Sequence, residues 1–110
     1  MDRIVLSLLV DNTAGVLSRV AGLFSRRGYN IDSITAGVTA DPKFTRITIV
    51  ARGDEIILEQ IEKQLLKLVD VVDIKRLDPD SSVCRELVLL KVLCNEQNRQ
   101  NIISIADIFR

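Results

Sequence analysis

Residues 4–10, IVLSLLV, limit what this chain can become more than any other stretch. Ile4, Leu6, Leu8 and Val10 share one parity, and Val5, Ser7 and Leu9 the other. Side chains of a strand alternate between its two faces, so both faces here are apolar except at Ser7. Such a strand belongs in the middle of a sheet, with something covering at least part of its second face.

The loop DNTAGV, residues 11–16, comes next and opens a helical period. Val16, Leu17, Val20, Leu23 and Phe24 fall at i, i+1, i+4, i+7 and i+8, one face of a helix. Arg26 and Arg27 suit the negative helix end, and Gly28 is the expected stop. Residues 30–39 read as a second strand, with Ile34, Ala36 and Val38 on one face. Ile31 falls on the opposite parity, which predicts a bulge near Asp32-Ser33.

Asp41-Pro42 makes a turn into a third strand, residues 44–52, where Ile47, Ile49 and Ala51 oppose Arg46, Thr48 and Arg52. Asp54 is placed to cap a second helix whose stripe is Ile57, Leu58, Ile61, Leu65 and Leu68. Residues 71–77 complete the order β-α-β-β-α-β, the ferredoxin-like α+β arrangement. Right-handed crossovers put both helices on one face of its antiparallel sheet.

These elements form a first domain, residues 1–77, closed by the polar, turn-rich linker DPDSS at 78–82. Residues 87–93 then read as another apolar strand and residues 97–110 as another helix, with Ile102, Ile105, Ala106 and Phe109 on one face. One strand and one helix cannot bury both of their apolar faces. Residues 83–110 are therefore expected to be the truncated start of a second, incomplete α+β domain.

Composition narrows the chemistry. Lys+Arg and Asp+Glu balance at 15 each, so nothing draws the chain to nucleic acid or to an anionic membrane. No apolar run nears the ~18–20 residues of a bilayer span, and no signal peptide is visible, so the cytoplasm is the default. Histidine is absent, which removes the commonest general base and most transition-metal sites. Cys84 and Cys94, about 30 Å apart if one strand carries both, read as reduced packing residues.

The 11–16 loop is the candidate site, since amides at a helix start lack intrahelical partners and favour an anion. A phosphate-handling enzyme of the acylphosphatase kind needs a cation in that loop, and it holds Asp11 with no Lys or Arg. A metal carrier needs thiolates there, and an RNA-binding sheet needs exposed aromatic rings. What remains is a small ligand with a carboxylate and an apolar part. By local pattern alone, Asn-x-x-Gly is more often a turn and cap than a binding site. Asn30 is either a cap at the start of its strand or a ligand contact, and periodicity does not choose.

From Asn12 the chain carries N-x-x-G-x-L-x-R-V-x-x-L-F-S-x-R-G-Y-N-I, followed by DPKFTRITIV and LEQIEKQLLKLVDVVDI. Over residues 3–77, and less distinctively over 85–110, this resembles the ACT domain of the acetolactate synthase (acetohydroxyacid synthase) small-subunit family. The resemblance implies a non-catalytic regulatory subunit that activates a large catalytic subunit carrying thiamine diphosphate, Mg²⁺ and FAD, with no cofactor on this chain. It implies feedback inhibition by valine in branched-chain amino acid biosynthesis. It also implies a homodimer through the ACT domains, whose site joins Asn12, Ala14, Gly15 and Val16 of one chain to Asn30 and Ile31 of another. The alternatives are an ACT sensor for a different amino-acid biosynthetic enzyme, or a bare interaction scaffold.

Overall fold

The computed structural model describes residues 2–109, so Met1 and Arg110, the outer limits of the two expected domains, lie outside the described residues. Strand β1 (Asp2–Asp11) leads through the loop into helix α1 (Val16–Arg27). Strands β2 (Asn30–Val38) and β3 (Phe44–Gly53), helix α2 (Glu55–Leu66) and strand β4 (Val71–Leu77) follow. The order in the sheet is β2-β3-β1-β4, with every neighbouring pair antiparallel. This is the ferredoxin-like βαββαβ arrangement, and IVLSLLV lies on an inner strand.

Local signals end the elements where they should. Gly28 caps α1 in the left-handed region, at φ 67°, with its N–H turned back onto the last carbonyls of the helix. The Asp54 carboxylate accepts from the Ile57 N–H at 2.9 Å and starts α2. The pairing of β2 with β3 shifts between Ile31 and Ser33, so Ile31 shares a face with Ile34, Ala36 and Val38.

The core lies between one sheet face and the two helices. Ile4, Leu6, Leu8 and Val10 of β1 and Ile47, Ile49 and Ala51 of β3 meet Val20, Leu23 and Phe24 of α1 and Leu58, Ile61 and Leu65 of α2. Leu17 departs from the sequence expectation: it is 45% exposed, because α1 does not turn that part of its apolar face onto the sheet. Among the described residues no element covers the opposite sheet face. Val5, Leu9 and Val50 stay half-buried there, on the same face as the exposed Arg3, Arg46 and Arg52. Arg46 is held in place by donating from Nη1 to Ser7 Oγ at 3.0 Å.

Beyond β4, a short 3₁₀ turn (Pro79–Ser81) precedes an extended segment and helix α3 (Arg99–Ile108). Residues 87–93 form no strand, contrary to the sequence reading. A strand exists through its ladder, and no partner pairs with this segment among the described residues. Leu87, Leu89 and Leu93 are each more than nine-tenths exposed, and α3 has no buried residue.

Candidate functional site

The 11–16 loop is anchored at its root by three backbone hydrogen bonds. Asp11 N–H donates to Asp70 O at 2.9 Å, Asn12 N–H to Lys43 O at 2.8 Å, and Thr13 N–H to Asp11 O at 3.0 Å. Asn12 also uses both ends of its side chain internally. Its Nδ2 donates to Pro42 O at 2.9 Å and its Oδ1 accepts from Thr45 Oγ1 at 3.1 Å. The turn reading of Asn12 thus describes its contacts within the chain, while the second lone pair of Oδ1 is left for a ligand.

Above the root the loop is open. Gly15 sits at φ 83° and caps α1 with no side-chain hydrogen bond. The N–H groups of Ala14, Gly15, Leu17 and Ser18 meet no acceptor among the described residues. Thr13, Ala14 and Gly15 are exposed, whereas the Val16 side chain turns into the core. The loop therefore presents amide hydrogens and the Asp11 carboxylate, a pairing suited to the two charges of a zwitterion.

Two further residues complete this corner. Arg19, one turn along α1, donates from Nε to Asp70 Oδ2 at 2.5 Å and from Nη2 to Ala14 O at 3.4 Å. A Cβ on Gly15 would stand only 2.9 Å from Arg19 Nη1. The hydrogen bond from Arg19 holds the Asp70 carboxyl below the usual carboxylate range, and Asp70 raises the Arg19 guanidinium above its own. The loop thus has a cation beside it although its own sequence has none. Helical side chains lean toward the N-terminus, so Arg19, one helical turn after Gly15, was there to be found. Asp70, 51 residues further along, was not.

Asn30 and Ile31 lie elsewhere. Asn30 pairs with Arg52 at one end of β3, whereas Asp11 pairs with Phe44 at the other. At about 3.3 Å per residue the two groups stand roughly 25 Å apart along the sheet. One chain therefore does not bring the six expected residues together. Asn30 donates to Asp32 Oδ1 at 3.1 Å, Arg52 Nε donates to the other Asp32 oxygen at 2.6 Å, and Ile31 packs half-buried against the core.

Two clefts open at that far end. One of about 400 Å³ includes Arg3, Glu55, Arg76 and Asp78, and one of about 500 Å³ is lined by Arg26, Arg27, Tyr29 and Gln60. In the first, burial works against the Arg76 charge, but hydrogen bonds to Glu62 and Glu55 outweigh it and raise its pKa. Neither cleft includes a residue of the loop.

Residues 6–73 match the family model described as an AHAS small subunit-like ACT domain. The chain is 50% identical over 110 residues to a probable acetolactate synthase small subunit of Methanothermobacter thermautotrophicus, covering 99% of this chain and 66% of that protein. It is 49% identical over 108 residues to the acetolactate synthase isozyme 3 small subunit of Escherichia coli, covering 98% and 66%. The chain thus spans just under two thirds of the length of these curated relatives. The crystal structure of the acetolactate synthase small subunit from Thermotoga maritima superposes with a TM-score of 0.78 at 36% identity, covering all of this chain and 69% of that one.

Proposed function

The chain belongs to the family of acetolactate synthase small subunits, and from that premise we propose that it is a non-catalytic, valine-sensing regulatory subunit. In this reading it docks on and activates a large catalytic subunit, which carries the thiamine diphosphate, Mg²⁺ and FAD, and it confers inhibition by valine. The observation that carries the reading is the open start of α1. The ligand carboxylate meets the unpaired N–H groups of Ala14, Gly15 and Leu17, and its ammonium meets Asp11 or Asn12 Oδ1.

The second half of the site comes from another copy. β2 is an edge strand, and Ile34 and Val38 expose apolar surface along it. Antiparallel union of two β2 edges about Ile34 carries Asn30 and Ile31 of a second chain to the Val38 end. That is the end where Val38, Thr45 and Val10 lie level and the loop leaves the sheet. The valine isopropyl group then rests against Ile31 of the second copy and the rim of Val16.

Calorimetric titration tests the sensor. Valine is expected to bind the wild-type chain, and Gly15→Asp to abolish binding, because it puts bulk and negative charge beside the ligand carboxylate. A left-handed residue costs about 1–2 kcal/mol without glycine, so the variant should remain folded in circular dichroism. Silence of the wild-type chain at millimolar valine, or normal binding by Gly15→Asp, would overturn the assignment. Mixing with the large subunit should raise acetolactate production, and no rise would favour an ACT sensor serving another enzyme.

A further inference from the structure

Asp70 grips the loop corner twice. Its backbone oxygen accepts from Asp11 N–H at 2.9 Å, holding the loop root, and its carboxylate takes Arg19 Nε at 2.5 Å, holding the first turn of α1. The guanidinium then lies across residues 14 and 15. Its Nη2 reaches Ala14 O, and Nη1 lies 2.9 Å from the point where a Cβ on residue 15 would stand. The backbone adds one firm bond here, from Arg19 N–H to Gly15 O at 3.0 Å. The Val16 N–H reaches Thr13 O only at 3.4 Å, and Gly15 supplies no capping side chain.

We propose that Arg19 and Asp70 are a positioning pair that clamps residues 13–15 in the shape that turns the N–H groups of Ala14 and Gly15 outward, with Gly15 as the seat of the guanidinium. The clamp deepens the valine-site reading and rests on it for its role in sensing. Three points carry it. The pair is a charge-assisted hydrogen bond, stronger than a neutral one, and the Asp70 side chain is only 18% exposed. Arginine presents a planar fork that can hold a carboxylate and a carbonyl together, which the single ammonium of lysine cannot reproduce. Finally, Gly15 leaves room for the guanidinium, since a Cβ on residue 15 would stand 2.9 Å from Arg19 Nη1.

The experiment compares the wild-type chain with the isosteric Asp70→Asn, with Arg19→Lys, with Gly15→Ala and with the double variant Gly15→Ala/Asp70→Asn. Two quantities are read: the valine Kd by calorimetry, and the amide chemical shifts of Ala14, Gly15 and Leu17 in the ligand-free protein. Asp70→Asn and Arg19→Lys are expected to weaken valine binding at least tenfold and to move those shifts before any ligand is added. In the double variant the two losses should fall short of additive, because the guanidinium that the added methyl group would displace is already loose. A pair that merely stabilises the fold predicts a lower Tm with unchanged Kd and unmoved shifts, and that result overturns the clamp. If the wild-type chain binds no valine, the sensor reading fails by itself. The ligand-free shifts then decide the clamp alone, moved shifts supporting it and unmoved shifts refuting it.

Discussion

Asp70 is the carboxylate whose titration the structure ties most directly to the loop. The Arg19 hydrogen bond depresses its folded pKa, so the stabilisation it gives is fully present above the ordinary, unfolded aspartate value. It is lost as pH falls through the depressed folded value, while Arg19 keeps its charge. The wild-type chain should therefore melt higher than Asp70→Asn at neutral pH, and the gap should close as the buffer is taken below the carboxylate range. Thermal melts of both proteins across that range check this, and a gap independent of pH would exclude the pair as its source. At this scale the sequence was only partly legible. Gly15 and Asn12 stood out because turns and helix starts have local chemistry. Asn12's bonds to Pro42 and Thr45, and Arg19's to Asp70, depend on which turns meet at the end of the sheet, and no local pattern encodes that.

The elements were more legible, because periodicity is imposed by burial. The four paired strands and two core helices follow alternation and the helical period, and even the register shift at Ile31–Ser33 was visible as a break of parity. Leu17 misled because periodicity marks an apolar face without saying how much of it a neighbour covers. Residues 87–93 misled for a related reason: β-propensity is not a ladder, and the ladder needs a partner. Ile34→Lys adds a charge at the centre of the proposed dimer edge, on a side chain already 38% exposed in the single chain. Sedimentation should show dimerisation weakened at least tenfold with native circular dichroism retained. A variant that stays dimeric at the wild-type concentration would move the interface elsewhere.

Among the described residues, every buried core side chain lies between Ile4 and Val71, with Ile74 packed partly buried against them. The radius of gyration is 17.9 Å, against about 13 Å for a compact chain of this length, because the segment after the linker projects from the sheet and helices. Residues 83–109 contribute no buried side chain to the core. A chain ending at Ser82 should keep its melting stability to within about 0.5 kcal/mol, the scale of surface changes, and should bind valine as the longer chain does. Collapse of the shortened chain would show that the projecting segment supports the first domain. Acetolactate production with the large subunit separates sensing from activation in the same variant.

The roughly 25 Å between the loop and Asn30 has a consequence for anyone who dilutes this protein. A pocket shared between two chains makes its ligand a form of glue: whatever fills it favours the joined state, and whatever separates the chains empties it. Apparent valine affinity should then fall as the protein is thinned below the dissociation constant of its dimer, and valine should slow the falling apart. Sensitivity to the amino acid would be set jointly by how much of it is present and by how much of this chain the cell has made.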